Sequence, residues 1–468
     1  MNLRRTEQLF PRRPRQTFVM RHLEPEAGRL ARAILAGEFQ KKGILARTIP
    51  LVSGPKTWLK RLMGRVFKKF SEQRPRRRAL VTFLLGSRSF STASEHDDFA
   101  VLAYAAPAEF LPANTRWSGI ELIPLNTFAA VGQWLGLTEQ HLLWLADRRQ
   151  LERTVVEGPL RNYRYRWVLK RRGSCRLIEA PKQRLCEVQR ELLKGIFEQI
   201  PVHAAAHGFR KGHSTATHSE PHVGKAIVLK MDLQDFFPSI APSRLVRILM
   251  HAGYPEEVAE TLTALCCNHT PADVWAAYRH NDDWKQRRAT ELLYRRPHFP
   301  QGAPTSPAIA NICVYRLDCR LAGLARKANA VYTRYADDLL FSGDDEFARS
   351  IDRFRIFVAA VVIQEGFFVN HHKTMVMSRS VRQHAVGLVL NQKLNVARRE
   401  FDRLKEILHQ CTLRGPALVN ADNPQHSDFR RHLRGRIEHI GQWNSARAEK
   451  LLGLFNRIDW TDKARSES

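Results

Sequence analysis

The sequence predicts an α+β fold, with helical segments flanking an antiparallel sheet, and three patterns carry that prediction. Strand-like apolar runs alternate with helical ones between residues 160 and 270. A hairpin pattern centres on Tyr335-Ala336-Asp337-Asp338. Apolar residues recur at helical spacing over 122–149 and again beyond 395. At 468 residues the chain is long enough for several domains around a substantial core.

Its formal charge of +29 calls for a polyanionic partner. Nucleic acid ranks ahead of a membrane, because no amphipathic surface helix stands out. No stretch approaches about 18 uninterrupted apolar residues, and the N-terminus lacks the apolar core of a signal peptide. A soluble, cytoplasmic protein with no membrane partner is expected. The seven cysteines include no C-x-x-C pair. Cys266-Cys267-Asn268-His269 has no second ligand pair at finger spacing, so reduced thiols are expected.

Taken in order, residues 1–78 hold 21 Lys and Arg against 5 Asp and Glu, with Arg-Pro punctuation at 11–15 and 74–78. This predicts a loosely ordered arm with short helices that binds phosphate backbone without sequence preference. Residues 79–116 are more apolar and complete a basic, partly helical extension over 1–116. In 117–158, Leu125, Phe128, Val131, Trp134 and Leu135 predict a small helical module. The third region, 159–394, carries strands at Tyr165–Lys170 and Cys175–Glu179, a helix over about 183–199, and the apolar strand ending in Asp232. Residues 271–298, polar and aromatic, read as an insertion. In 395–468, Asn395 is a candidate N-cap, and Phe401, Leu404, Leu408 and Cys411 line one helix face. Phe429, Leu433, Ile437 and Ile440 form a later stripe, with Arg430 and Arg434 off it as candidate groove-contacting residues.

The chemistry sits in the third region. Asp337 and Asp338 at a hairpin tip can meet Asp232 at a strand end, where the carboxylates would repel one another. Divalent cations relieve that repulsion, and a pair of Mg²⁺ ions serves in-line nucleotidyl transfer. Asp232 would bridge the metals and Leu233 would add a backbone carbonyl. Phe237 would place a flat ring beneath the sugar of an incoming nucleotide and exclude a 2′-hydroxyl. Gln301-Gly302-Ala303-Pro304 permits close backbone approach before a helix starting near Ala308. Lys373 follows the second carboxylate pair and is suited to the leaving pyrophosphate. His371 and His372, as neighbours on a strand, would face opposite ways and hold no metal. Lys170 to Arg176 forms a basic hairpin turning at Gly173, able to close over a triphosphate. Arg210, in His207-Gly-Phe-Arg-Lys-Gly-His, marks a second basic loop near template or nucleotide. The order of these motifs implies a template-directed polymerase.

From about Leu122 to Val396 these motifs resemble a reverse transcriptase, more narrowly the bacterial retron type. Val202-His-Ala-Ala-Ala-His-Gly-Phe-Arg210, Trp134-Leu-Gly-Leu and Leu160-Arg-Asn-Tyr-Arg-Tyr-Arg-Trp-Val-Leu-Lys170 carry the narrower likeness. The resemblance implies a right-hand polymerase with fingers, an antiparallel palm and a helical thumb, whose catalytic residues are Asp232, Asp337, Asp338 and Lys373. It implies Arg176 and Lys170 at the triphosphate, with Asp235, Phe236, Phe237, Gln301 and Gly302 at the nucleotide. Mg²⁺ is the implied cofactor, with Mn²⁺ as an alternative.

The implied partners are a cognate structured noncoding RNA, deoxynucleotides and an RNA–DNA hybrid product. A separate effector protein is left open. The implied product is a branched RNA–DNA, primed from an internal guanosine 2′-hydroxyl and used in phage defence. Two places depart from the family pattern and bear on RNA contact. His218-Ser219-Glu-Pro-His222 keeps only the last histidine of Asn-Ala-x-x-His, and Ala385-Val386-Gly387 stands where Val-Thr-Gly is frequent. His222 and Gly387 are carried over as RNA-binding candidates. A diversity-generating or other defence polymerase is the nearer alternative. A non-catalytic RNA scaffold is the distant one, which the intact carboxylates disfavour.

Overall fold

The computed structural model describes residues 23–36, 39–54, 56–70, 75, 77–96, 99–102, 120–155, 158, 161–169, 175–278, 284–422 and 426–461. The chain divides into two compact units, one built from 1–148 with 245–265 and the other from 149–244 with 266–468.

In the first unit, the basic segment forms a packed helical bundle from Glu24 onward. Helices Glu24–Leu35, Lys41–Thr48, Thr57–Phe70, Arg77–Leu85 and Arg88–Ser94 share a core that includes Leu30, Ile34, Leu59, Leu62, Val66 and Leu84. The expectation of a loose arm is corrected here. Helix Thr57–Phe70 shows why: Leu59, Leu62, Met63 and Val66 recur at helical spacing and are all buried, while the cations between them dominate the composition. Trp58 meets Phe90 and Phe99 at ring distances of 6.0 and 5.8 Å, tying residues beyond 78 into the same core. The Arg-Pro stretch at 11–15 lies outside the described residues.

The helical module expected at 122–149 appears as Phe128–Trp134 and Glu139–Ala146, capped by Thr127 and Thr138. Both pack against helix Glu256–Ala264, which belongs to this unit although it comes a hundred residues later in sequence. Arg148 and Glu260 are ion-paired at 2.6 Å.

In the second unit, β1 (Tyr163–Leu169) and β2 (Cys175–Pro181) form an antiparallel hairpin. The turn expected at Gly173 lies outside the described residues. The segment 271–298, read from sequence as an insertion, buttresses this hairpin, with Trp275 and Tyr278 packed on Trp167 at 5.1 and 4.6 Å. His298 and Glu179 of β2 are buried together at 2.7 Å, and Asn268 and Thr270 also donate to Glu179.

The central sheet contains β3 (Ile227–Asp232), β4 (Val331–Tyr335), β5 (Asp338–Gly343) and β6 (Met375–Ser378) in the order β4-β5-β3-β6, all antiparallel. Every residue of β3 is buried except Lys230, as an inner strand covered on both faces requires. On one face, Phe341 packs against Phe354 of helix Asp345–Gln364 at 5.2 Å and stacks on Tyr332 at 4.8 Å. On the other, Val228, Leu340 and Met377 form a core with Ala385 and Leu390. Ala385 belongs to a small meander of β7 (His384–Ala385), β8 (Leu388–Val389) and β9 (Asn395–Val396).

Helices Arg398–Arg414, Pro416–Ala421, Phe429–Gly441 and Ser445–Phe455 complete the unit around their own apolar cluster. Leu404, Leu408 and Cys411 are buried, as is the whole stripe Phe429, Leu433, Ile437 and Ile440. Asn395 is not an N-cap. It lies in β9, and the next helix starts after Ala397 without a side-chain cap.

Candidate active site

The strand register builds the site. Asp232 ends β3 directly opposite Asp338, which opens β5. Asp337 precedes it in a tight turn that closes with Ala336 at φ 55, a left-handed conformation for a residue with a Cβ. The Leu233 amide donates to the Asp337 carbonyl at 2.9 Å, fastening the strand end to the turn. Lys373 donates to both carboxylate oxygens of Asp232 at 3.0 and 2.9 Å, and Lys230 pairs with Asp338 at 3.2 Å.

Burial, reinforced by the charges of Asp232 and Asp338, pushes the Asp337 carboxyl up to about 6. Asp338 is raised too, by burial, with Lys230 opposing. Among the described residues no set of three ligating side chains closes as a ready metal cage, and the lysines engage two of the carboxylates. The donor set still fits a hard divalent cation: all oxygen, clustered, and with one member's charge opposed by its neighbours.

A buried network, which the sequence reading missed, holds the turn from behind. Arg334 is fully buried and donates to both oxygens of Asp318 at 2.8 and 2.7 Å. Its remaining nitrogen donates to Asn311 at 2.9 Å and to the carbonyl of Ala336 at 3.0 Å. Asn311 in turn donates to the Gly208 carbonyl at 2.8 Å. A Cβ on Gly208 would lie 2.6 Å from the Ala336 nitrogen, so the basic loop at 207–213 packs on the turn backbone to backbone. The available signal was an arginine inside the otherwise uncharged strand Val331–Tyr335.

The family described as reverse transcriptase (RNA-dependent DNA polymerase) matches residues 168–396, which hold all of these groups. The retron Mx65 reverse transcriptase of Myxococcus xanthus is 40% identical over 350 residues, 73% of this chain and 74% of that protein. This chain belongs to the retron reverse transcriptase family. Its activity as a member is RNA-directed DNA polymerisation, and the family works with divalent metal ions and an RNA template. The retron Mx162 enzyme of the same organism is 37% identical, over 58% of this chain and 54% of its own. The retron Ec86 enzyme of Escherichia coli is 28% identical over 72% of this chain and 94% of its own. A Candida albicans telomerase structure in complex with a fragment of telomeric RNA covers 63% of each chain at 13% identity, with a TM-score of 0.32, too low to bear on fold or function.

Around this retron-family centre the remaining candidates fall in different places. Phe237 is half-buried, with its ring 6.2 Å from that of Phe209, which itself lies 6.3 Å from Tyr335. Phe209 is half exposed at φ 58 and was not singled out from sequence. Asp235 adopts φ 44 and starts the short helix Phe236–Ser239. The Phe236 side chain lies in the core, with its ring 6.0 Å from that of Phe367. Gln301 and Gly302 dock on β2, where the Gln301 carbonyl accepts from the Glu179 amide at 2.9 Å. A Cβ on Gly302 would meet the Glu179 carbonyl at 2.9 Å, so the glycine serves an approach of backbone to backbone.

Arg176 is exposed on β2, opposite Val168, and Lys170 lies outside the described residues. His371 and His372 belong to a 3₁₀ turn with Lys373, so the strand argument about their side chains does not apply.

Among the RNA candidates, His222 is corrected. It is fully buried beneath the sheet, with its ring nitrogens bonded to Ser342 at 2.6 Å and Thr333 at 2.8 Å. Burial, then nearby positive charge, lowers it to about 3, and it acts as a neutral prop. Gly387, at φ 89 beside Val386 at φ 40, forms the two-residue turn between β7 and β8 and is exposed. Arg430 and Arg434 are exposed, the first over the Trp460 ring at 5.7 Å, the second paired with Glu438 at 2.9 Å. Arg210 is partly exposed on the loop beside the turn.

Proposed function

We propose that this chain copies part of a cognate structured RNA into single-stranded DNA, starting from an internal guanosine 2′-hydroxyl, and that the branched product serves antiphage defence. The observation that most supports this reading is Asp232 facing Asp338 across two strands, with Asp337 beside them and its carboxyl pushed up to about 6. Asp232, Asp337, Asp338 and the Leu233 carbonyl would hold Mg²⁺. When bound, a pair of such ions stabilises charge on the attacking and leaving oxygens of an in-line displacement.

The chain's own groups do the rest. Lys373, about half exposed and already hydrogen-bonded to Asp232, is the proton donor for departing pyrophosphate. Phe237 blocks a 2′-hydroxyl. Arg176 takes the triphosphate, with Gln301 and Gly302 beside the base and sugar. Arg210, Gly387, Arg430 and Arg434 contact the RNA.

Primer extension on an RNA template in Mg²⁺ tests the centre. Asp337→Ala should lower incorporation by at least about 10³-fold, roughly 4 kcal/mol of barrier, and an unchanged rate would sink the assignment. Deep sequencing of nucleic acid copurified with the protein tests the product. A discrete branched RNA–DNA supports the retron reading; mutagenised copies or untemplated DNA would replace it with a diversity-generating or other defence polymerase.

A further inference from the structure

We propose that helix Thr57–Phe70 presents a phosphate-binding face for a double-stranded stem of the RNA that the protein copies, an inference resting on the RNA-copying reading above. The helix contains no acidic residue and five cations, Lys60, Arg61, Arg65, Lys68 and Lys69, all exposed. Its other side is fixed, because Leu59, Leu62, Met63 and Val66 are fully buried in the bundle core. At about 100° per residue, the cations follow one another around half the circumference, in the order Lys60, Lys68, Arg61, Arg65, Lys69. Gly64 falls between the first two, and a Cβ there would meet nothing within 4 Å.

The bland reading is a solvated helix face. It predicts cations that are paired or that serve the helix dipole. Three cations elsewhere in the same unit are paired: Arg29 with Glu26 at 3.8 Å, Arg77 with Glu256 at 3.4 Å, Arg148 with Glu260 at 2.6 Å. Among the described residues no ion pair involves any of the five on this helix. The dipole accounts only for Lys68 and Lys69 in the last turn. The Phe39–Phe67 ring contact at 5.0 Å brings the start of the preceding helix Lys41–Thr48, with exposed Lys41 and Lys42, beside the same end. Held at fixed spacing and, among the described residues, in no ion pair, these groups suit a polyanion.

The face also selects among polyanions. Single-stranded RNA is held by stacking on exposed aromatic rings, and here Trp58, Phe67 and Phe70 pack against the core instead. A membrane helix would need its apolar side free, and that side is buried. An A-form duplex offers phosphates across a wide, shallow groove and is recognised by shape and backbone, which a stripe of cations without rings matches.

The test is equilibrium binding of the full-length protein to a base-paired RNA hairpin and to single-stranded oligouridine, across a salt series, without Mg²⁺ or nucleotides. Replacing all five cations with glutamine (K60Q, R61Q, R65Q, K68Q, K69Q) should weaken hairpin binding by at least about tenfold at physiological salt. It should also flatten the slope of log affinity against log salt by roughly 3 to 4, and affect the single strand much less. A charge-keeping variant, K60R/R61K/R65K/K68R/K69R, should bind as the original does. An unchanged slope in the glutamine variant, an equal loss for both RNAs, or a loss in the charge-keeping variant would each overturn the proposal, the first in favour of another partner such as an acidic protein. The readout needs no polymerisation, so its failure leaves the polymerase reading standing, and an inactive enzyme that still passes this test loses only that reading.

Discussion

Asp337 is the carboxylate most at odds with its surroundings, and the conflict can be measured. Its folded-state pKa of about 6 lies above the ordinary 3.8. The protonated form therefore contributes stability that is fully present below about pH 3.8 and lost as pH rises through about 6. At pH 7.5 the ionised group costs on the order of 2–3 kcal/mol in the absence of a cation. Asp337→Asn should thus raise the urea-unfolding stability of protein in a chelator by about 1–3 kcal/mol at pH 7.5 and by almost nothing at pH 4. Equal effects at both pH values would mean that the carboxyl is not perturbed. Phe237 makes a second residue-scale prediction. Removing its ring with Phe237→Ala should increase ribonucleotide incorporation relative to deoxyribonucleotide by about tenfold or more, read by competitive single-nucleotide extension. No change in that ratio would put the sugar gate elsewhere, with Phe209 as the neighbouring ring to examine.

At the scale of elements, the turn at 335–338 depends on Arg334 and Asp318, a pair with no exposed surface. Arg334→Met leaves Asp318 charged and buried and releases the Ala336 carbonyl. It should cost about 3–5 kcal/mol of stability. The Arg334→Met/Asp318→Leu double variant should recover much of that stability without recovering polymerisation, because the carbonyl anchor stays lost. Recovery of both would reduce the arginine to a packing role. β3 and the hairpin of β4 and β5 were legible in sequence, since β3 and β5 are apolar runs with acids at matching ends, whereas β6 was not. The neighbours of those acids were not. Lys230 and Arg334 lie in strands as lone charges, and pattern reading assigns a lone charge to the surface. His222 misled in the opposite direction: a polar residue in a family motif suggested RNA, yet its partners Ser342 and Thr333 come from strands far along the chain. Residues 271–298 read only as an insertion, because the packing of Trp275 and Tyr278 on Trp167 of β1 is a contact that spacing within the segment cannot reveal.

At the scale of the molecule, composition hid the first unit. A surplus of lysine and arginine over 1–78 suggests disorder, but the apolar face of each helix is enough to close a core once the periodicity is followed. Leu62→Ala should therefore destabilise this bundle by about 2–5 kcal/mol, which loosely ordered chain would not register in a thermal melt. No helix among the described residues is long and apolar enough to cross a membrane.

This unit also recruits helix Glu256–Ala264 from deep within the polymerase sequence, burying Val258, Ala259 and Leu262. Shortening the protein from its front is for that reason not a neutral edit. A fragment beginning at Arg149 keeps Asp232, Asp337 and Asp338 but strips the cover from an apolar ridge in its own middle. Such a fragment should clump or melt early, and its inactivity would say nothing about what the missing residues recognise.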